Sequence, residues 1–167
     1  MDRLMGAVTQ TYRASVDLTV TALQSLAASG TWVSGWVSGI IDNTSQLDLD
    51  KAISAKFVPV AATTGEIRVY AIAMMDDTNW PDILSVGTEG TEGAGTFTSA
   101  EVRDANATLV WSSATTATSP KTMPMTSLRG VFGGVMPPKV ILFVAISGSA
   151  LSTGNQVTVK GLSESVA

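Results

Sequence analysis

The side chains available for chemistry in this sequence are carboxylates, amines and hydroxyls, because the chain contains no cysteine and no histidine. This composition excludes disulfide scaffolds, thiolate zinc sites and histidine-based triads. Asp48 and Asp50 stand two residues apart, so on a β-strand they would share one face. A glycosidase needs two carboxylates across one cleft, but two acidic residues on a solvated strand edge are the commoner arrangement.

A second acidic group, formed by Asp76, Asp77 and Asp82, surrounds Trp80 and Pro81. Aspartate and asparagine side chains favour turns because they bond to the nearby backbone, so the segment predicts a polar turn held down by Trp80. Clustered oxygens could alternatively bind Ca²⁺, although the spacing does not match an EF-hand loop.

Glu89 and Glu92 lie in a repeat of glycine, threonine and glutamate over 87–93. The repeat lacks the lysine and the strand-to-helix pattern of a phosphate-binding loop. Two interpretations stay open for it, namely a solvent-exposed loop and a contact between subunits.

The motif Trp-Val-Ser-Gly occurs twice in succession and places Trp32 and Trp36 four residues apart. The indoles share a face in a strand and stack in a helix, while the glycines and valines favour strand or irregular structure. The pair is therefore either part of the core or an aromatic stripe that contacts another protein, with a sugar-stacking platform as a third alternative. The candidate interface residues are Trp32, Trp36, Asp76, Asp77, Trp80, Glu89 and Glu92.

The elements that would position these residues are short strands separated by turns. Alternating apolar residues or short apolar runs predict strands, and no amphipathic helix longer than about ten residues is indicated. At the last strand, a bulge at Gly161 would bring Leu162 onto the same face as Val157 and Val159. The predicted strands cover 16–20, 31–41, 46–60, 66–75, 108–112, 127–132, 139–146 and 155–162.

This pattern predicts an all-β fold, an antiparallel β-sandwich formed by one domain over 14–167. The first thirteen residues show no clear period, which is compatible with an arm or a short helix; we predict an extended N-terminal arm, 1–13, and leave open whether it is ordered before assembly. The arm lacks the apolar segment of a secretory signal.

Charge narrows the range of partners. The net charge is −4, and the ten lysines and arginines are scattered singly, so no basic face for nucleic acid is predicted. The longest apolar run, 140–146, is far shorter than a membrane-spanning helix. Charged residues make up only 14% of the chain, which is typical of a subunit whose surface is largely covered by neighbours.

Three stretches of turns and strand starts carry a resemblance to known proteins. They are Ile-Asp-Asn-Thr at 41–44 followed by Leu-Asp-Leu-Asp at 47–50, Ile-Arg-Val-Tyr-Ala at 67–71 running to Asn-Trp-Pro-Asp at 79–82, and Val-Phe-Gly-Gly-Val-Met-Pro-Pro-Lys at 131–139 with Ser-Gly-Ser-Ala-Leu at 147–151. Over 14–162 the chain resembles small structural proteins of tailed bacteriophages.

The resemblance implies a jelly-roll sandwich located in the virion, on the capsid surface, and made in the cytoplasm of the host bacterium. It implies a non-enzymatic decoration or cement protein whose partners are the major capsid protein and copies of itself, as a dimer or trimer. The alternative is a tail, neck or fibre component that binds glycans. We expect no cofactor, metal, membrane, nucleic acid or small-molecule substrate.

Overall fold

A computed structural model describes residues 8–76 and 78–166 of the chain. The described residues form antiparallel strands with two short α-helices and a 3₁₀ helix at Ala22–Ser25. In chain order the strands and helices are β1 (Val8–Tyr12), β2 (Val16–Asp17), β3 (Ser34–Val37), β4 (Ile41–Asp42), β5 (Asp50–Phe57), β6 (Glu66–Ala73), β7 (Leu84–Val86), β8 (Gly93–Phe97), α1 (Ala100–Asn106), β9 (Thr108–Ala114), β10 (Lys121–Ser127), α2 (Leu128–Val131), β11 (Lys139–Ile146) and β12 (Gln156–Val166).

The strands form two sheets that pack face to face. The five-stranded sheet has the order β1-β12-β5-β10, and β2 also pairs with β12. The seven-stranded sheet has the order β7-β8-β3-β11-β6-β9, and β4 also pairs with β11. The predicted all-β antiparallel sandwich is therefore confirmed, whereas the jelly-roll topology stays a prediction.

Strand β11 explains how the core is divided. Its side chains alternate between the two faces of the seven-stranded sheet. Leu142 and Val144 point into the cluster between the sheets, where they meet Ile53 of β5, while Ile141 and Phe143 enter a second cluster on the outer face. An uninterrupted apolar run fits this position because the strand is buried on both faces.

The outer face of the seven-stranded sheet is covered by other parts of the chain. Val102 of α1, together with Trp80 and Leu84, packs against Tyr70 and Phe143 there. The expectation that the strand at 66–75 is covered on both faces is thus confirmed for β6.

Several predicted elements differ from the observed ones. The strand predicted at 127–132 is wrong: Ser127 is the last residue of β10, and Leu128–Val131 form α2, because Ser127 Oγ accepts a hydrogen bond from Gly130 N at 2.8 Å and caps a helical turn. Strand β2 covers only two residues of the predicted 16–20. Gly161 pairs with Lys51 in regular register, so the predicted bulge is absent.

The predicted N-terminal arm is partly described. Val8–Tyr12 is not a free arm in this structure but forms β1, which pairs with β12 in register from Val8↔Val166 to Tyr12↔Leu162. Residues 1–7 of the arm and Asp77 lie outside the described residues.

The Trp-Val-Ser-Gly repeat offers a matched test of packing through its two glycines. A Cβ at Gly35 would overlap the main-chain oxygen of Val144 and lie 2.7 Å from Phe143 Cζ, whereas a Cβ at Gly39 would meet nothing within 4 Å. We expect Gly35→Ala to lower the free energy of unfolding by about 1–3 kcal/mol, the usual cost of overpacking. Gly39→Ala should change it by less than about 0.5 kcal/mol. Urea denaturation of both variants measures the difference, and equal losses would contradict the close approach of β3 and β11.

Candidate functional site

Trp36 is a core residue and not part of an exposed stripe. Its side chain is fully buried between the sheets, on β3. The indole Nε1 donates a hydrogen bond to Glu92 Oε1 at 2.8 Å, and the same oxygen accepts one from Ala22 N at 2.9 Å. Trp36 and Glu92 are both predicted at an interface with another molecule. They instead make contacts within one chain, where they connect the start of the 3₁₀ helix to the 87–93 loop.

Trp32 is half-buried and lies on the other side of the seven-stranded sheet from Trp36. It has a positive φ of 53°, so the two tryptophans do not continue one regular strand. The guanidinium of Arg68 stacks over the indole at 3.9 Å from the ring centroid, and Trp32 Nε1 donates to the Glu66 carbonyl at 3.3 Å. Of the alternatives for the pair, a shared aromatic stripe of Trp32 and Trp36 is therefore wrong, and the core position is confirmed for Trp36.

Two of the remaining predicted residues, Asp76 and Glu89, each hold a loop in place. Asp76 Oδ1 accepts hydrogen bonds from the main-chain N–H groups of Thr78 and Asn79, both at 2.7 Å, in a closed turn. Hydrogen bonds from the side chain of Asn79 and from these N–H groups lower the pKa of Asp76. Glu89 Oε1 accepts from Ile83 N and Leu84 N, both at 3.3 Å.

The two loops approach each other at Gly90, which also lies against Ile40, a residue that is 41% exposed. A Cβ at Gly90 would lie 2.7 Å from Ile40 Cγ1 and 3.7 Å from Trp80 Nε1, which shows how closely the loop approaches both side chains. Trp80 is half-buried and packs on the outer core cluster, as predicted for a residue that holds its turn onto the sandwich. The structure thus brings together Trp80 and the loop that carries Glu89.

Ile40 also lines a cleft of about 400 Å³ at the side of the sandwich. Its lining includes residues of β2 and β4, together with Lys51 of β5 and Val159 and Gly161 of β12. Val16, which is 61% exposed, and Ile40 are apolar side chains at this cleft. This combination of exposed apolar groups and an open concave surface is typical of an interaction site.

A buried ion cluster lies behind the cleft. Asp48 is 3% exposed, and its Oδ1 accepts a hydrogen bond from Arg13 Nε while Lys51 Nζ lies 2.9 Å from its Oδ2. Lys51 Nζ also donates to Gln46 Oε1 at 2.9 Å. Burial alone would raise the pKa of Asp48, but the hydrogen bond from Arg13 and the adjacent ammonium group of Lys51 outweigh it and lower the pKa.

Gly161 makes room for this cluster, because a Cβ there would overlap Asp48 Oδ2. Asp48 orients Arg13 through its Nε, and the rest of the Arg13 side chain, which is 41% exposed, lines the cleft. The cleft therefore offers an anchored guanidinium beside apolar side chains. Such a surface fits a protein segment that combines an apolar side chain with a carboxylate or carbonyl oxygen.

A strained loop lies next to the cleft. Asn43 Nδ2 donates to the Asp48 carbonyl and Asn43 Oδ1 accepts from Asp48 N, both at 2.9 Å, which closes the 43–48 loop. Within it Leu47 adopts a φ of 48° and is 78% exposed. A left-handed conformation at an exposed leucine costs about 1–3 kcal/mol and is maintained here by the surrounding loop.

The acid pair considered for a glycosidase is absent. Asp48 is in the loop before β5, whereas Asp50 is the first residue of β5 and its Oδ1 accepts from Arg129 N at 2.9 Å. Within 8–76 and 78–166, no group of three or more acidic side chains is placed to hold a metal ion. None of the helices in those two ranges is long and apolar enough to cross a membrane.

Sequence reasoning missed the residues that form the cleft. Arg13 and Lys51 are single charges with no motif around them, and Ile40 is an ordinary apolar residue after a glycine. Asp48, which orients Arg13 from behind the cleft, stands out in the sequence only as one member of an acid pair. The cleft brings together segments more than a hundred residues apart, such as Arg13 and Gly161, so no local signal could have indicated it.

Comparison with protein families, with curated proteins and with solved structures finds no match to this chain.

Proposed function

We propose that this protein is a non-enzymatic decoration protein of a tailed-bacteriophage head, which binds the assembled capsid and stabilises it. The resemblance at 41–50, 67–82 and 131–151 supports a virion protein. The small fraction of charged residues supports a subunit that is covered by neighbours on the particle. The jelly-roll topology implied by the resemblance is part of the same proposal.

The observation that carries the proposal is the cleft with its apolar rim. Ile40 lines the cleft and lies against Gly90 of the 87–93 loop, which in turn approaches Trp80, so one surface contains the exposed Val16 and Ile40 side chains and the anchored Arg13. We assign this surface to contact with the major capsid protein. Of the residues proposed from sequence for contact, Trp80 and the loop carrying Glu89 stay in this surface.

The acidic side chains that could have suggested catalysis have structural partners instead. Asp48 pairs with the buried Lys51 and with Arg13, Glu92 joins Trp36 to Ala22, and Asp76 closes a turn. These interactions support a protein whose polar groups maintain a rigid binding surface. A protein that binds only the assembled shell stabilises that shell by mass action, and the effect grows with occupancy.

Stoichiometry in purified particles tests the proposal. Quantitative mass spectrometry should give a ratio to the major capsid protein near one, or a simple fraction such as one third. A ratio of a few per cent or less would overturn the head location and move the protein to the tail, neck or fibres, where glycan binding would be tested. Absence from the particle would overturn both.

A charge placed in the rim tests the assigned surface. We expect Ile40→Asp to weaken binding to undecorated shells by at least about tenfold, because an unpaired carboxylate would be desolvated against the capsid. Leu109→Asp is the matched control, since Leu109 is 50% exposed on β9 at the edge of the seven-stranded sheet and does not line the cleft. Co-sedimentation with shells measures both. Equal binding by the two variants would remove the cleft from the interface.

A further inference from the structure

Strand β1 forms a ribbon that extends beyond the sandwich. Strand β5 pairs with β12 only from Gln156 to Leu162, so among the described strands 163–166 of β12 pairs with β1 alone. All five residues of β1 are exposed. A two-stranded ribbon without further support is marginally stable in water, so this part of the sheet gains most from another strand.

The free edge of β1 can be identified from its hydrogen bonds. Arg13 N donates to the Gly161 carbonyl, and the Thr11 carbonyl accepts from Ser163 Oγ, so Thr11 and Arg13 direct their main-chain groups toward β12. Because these directions alternate along a strand, Val8, Gln10 and Tyr12 direct their N–H and C=O groups away from β12. No described strand pairs with that edge.

This edge carries none of the features that normally prevent strand addition. Its sequence, Val-Thr-Gln-Thr-Tyr, contains no charge and no proline, and its register with β12 has no bulge. Four of its five residues are β-branched or aromatic, which favours strand pairing. An unprotected edge of this kind acts as a template for another strand.

The sequence of β1 is nearly palindromic about Gln10. We propose that β1 pairs antiparallel with β1 of a second copy of this chain, around a two-fold axis at Gln10, so that the five-stranded sheets of two protomers become continuous. In this register Gln10 lies opposite Gln10 of the copy, Thr9 opposite Thr11, and Val8 opposite Tyr12. The main-chain groups that point away from β12 then face their equivalents in the copy.

The side chains also match in this register. Thr–Thr and aromatic–β-branched cross-strand pairs are stabilising, and no like charges face each other, because β1 is uncharged. A two-fold contact closes on itself and leaves no second β1 edge for further growth. The partner is thus a second copy rather than an unrelated strand, and this pairing does not depend on capsid binding.

Sedimentation velocity of the full chain over a concentration series tests the dimer. We expect Gln10→Lys to raise the dimer Kd by at least about tenfold, because two lysines would lie directly opposite each other. Within one chain Gln10 pairs with Glu164, which favours the introduced lysine and keeps β1 on β12. Gln156→Lys is the matched control, since Gln156 is exposed beside Asp17 on the same sheet, and it should leave Kd within about twofold. A wild-type monomer at about 100 µM, or a dimer that Gln10→Lys leaves unchanged, would overturn the proposal.

Disulfide cross-linking tests the register. Because the sequence contains no native cysteine, an introduced cysteine can pair only with the same cysteine of another copy. Two residues facing each other in a hydrogen-bonded antiparallel pair have Cα atoms about 5.5 Å apart, within the range of a disulfide. Gln10→Cys should therefore form a covalent dimer under mild oxidation. Val8→Cys should not, because the two cysteines would be about 14 Å apart along the strands. Equal cross-linking of both variants, or none by Gln10→Cys, would overturn the two-fold register.

Discussion

Replacing Trp36 with alanine is expected to lower the free energy of unfolding by about 3–5 kcal/mol. The indole is the largest fully buried side chain of the core, and its removal leaves a cavity between the two sheets. It also removes the Nε1 hydrogen bond to Glu92 that helps hold the 87–93 loop. Since native domains are stable by only about 5–15 kcal/mol, urea denaturation should show a large decrease in the midpoint.

The repeat supplies the control for this prediction. Trp32→Ala removes the same side chain from a half-buried position, where the indole stacks under Arg68, and should cost roughly half as much. Trp36→Phe should fall between wild type and Trp36→Ala, because it keeps most of the apolar volume and loses the hydrogen bond to Glu92. If Trp32→Ala and Trp36→Ala were equally destabilising, the assignment of Trp36 to the core and Trp32 to the half-buried surface would be wrong.

The second large effect is expected at Asp48. Asp48→Ala leaves Lys51, which is 6% exposed, as a buried cation without its counter-ion. Breaking a buried ion pair in this way costs about 3–5 kcal/mol, more than the pair itself contributes. The double variant Asp48→Ala with Lys51→Met should recover part of the loss, because no unpaired buried charge remains. A double-mutant cycle from urea denaturation measures this coupling, and strictly additive losses would contradict it.

The pH dependence of the free energy of unfolding is a second, independent test of the interactions of the Asp48 carboxylate. The pKa of Asp48 is lowered in the folded state, because the hydrogen bond from Arg13 and the adjacent ammonium group of Lys51 outweigh the effect of burial. The contribution of Asp48 to the free energy of unfolding is therefore fully present above the pKa of aspartate in the unfolded chain, about 3.9. It is lost as the pH falls through the lower pKa of Asp48 in the folded protein. The wild type should lose more stability than Asp48→Ala between neutral pH and about pH 3.

The other carboxylates with lowered pKa values, including Asp17, Asp42 and Asp76, remain in both proteins. The difference between the two pH profiles therefore isolates Asp48. Parallel profiles would contradict the proposed ion cluster. In that case Asp48 would titrate as an ordinary exposed aspartate.

Local pattern was sufficient for the strands that cross the centre of the fold. The predicted strand at 139–146 matches β11, and that at 66–75 contains β6, because continuous apolar runs of this length are stable only when buried on both faces. The Ser-Gly-Ser sequence at 147–149 is typical of a turn, and Gly148 there adopts a φ of 76°.

Local pattern failed where distant residues decide the conformation. The apolar residues at 127–132 are compatible with a strand, but the Ser127 cap and the hydrogen bond from Arg129 N to Asp50 select a helical turn. Strand β10 was not predicted, because its exposed Pro124 and Met125 interrupt the alternation at a register shift against β5. Helix α1 was missed because its seven residues are too short to show a helical period.

The residues proposed for function show the same division. The sequence alone indicated which residue types form specific interactions, since the tryptophans and the acidic residues make the hydrogen bonds described above. It could not assign Trp36 to the core, join Glu92 to it across 56 positions, or place Arg13 against Asp48 across 35. These contacts between residues far apart in the sequence form because the two sheets pack together. That packing depends on side chains from the whole chain rather than on a local period.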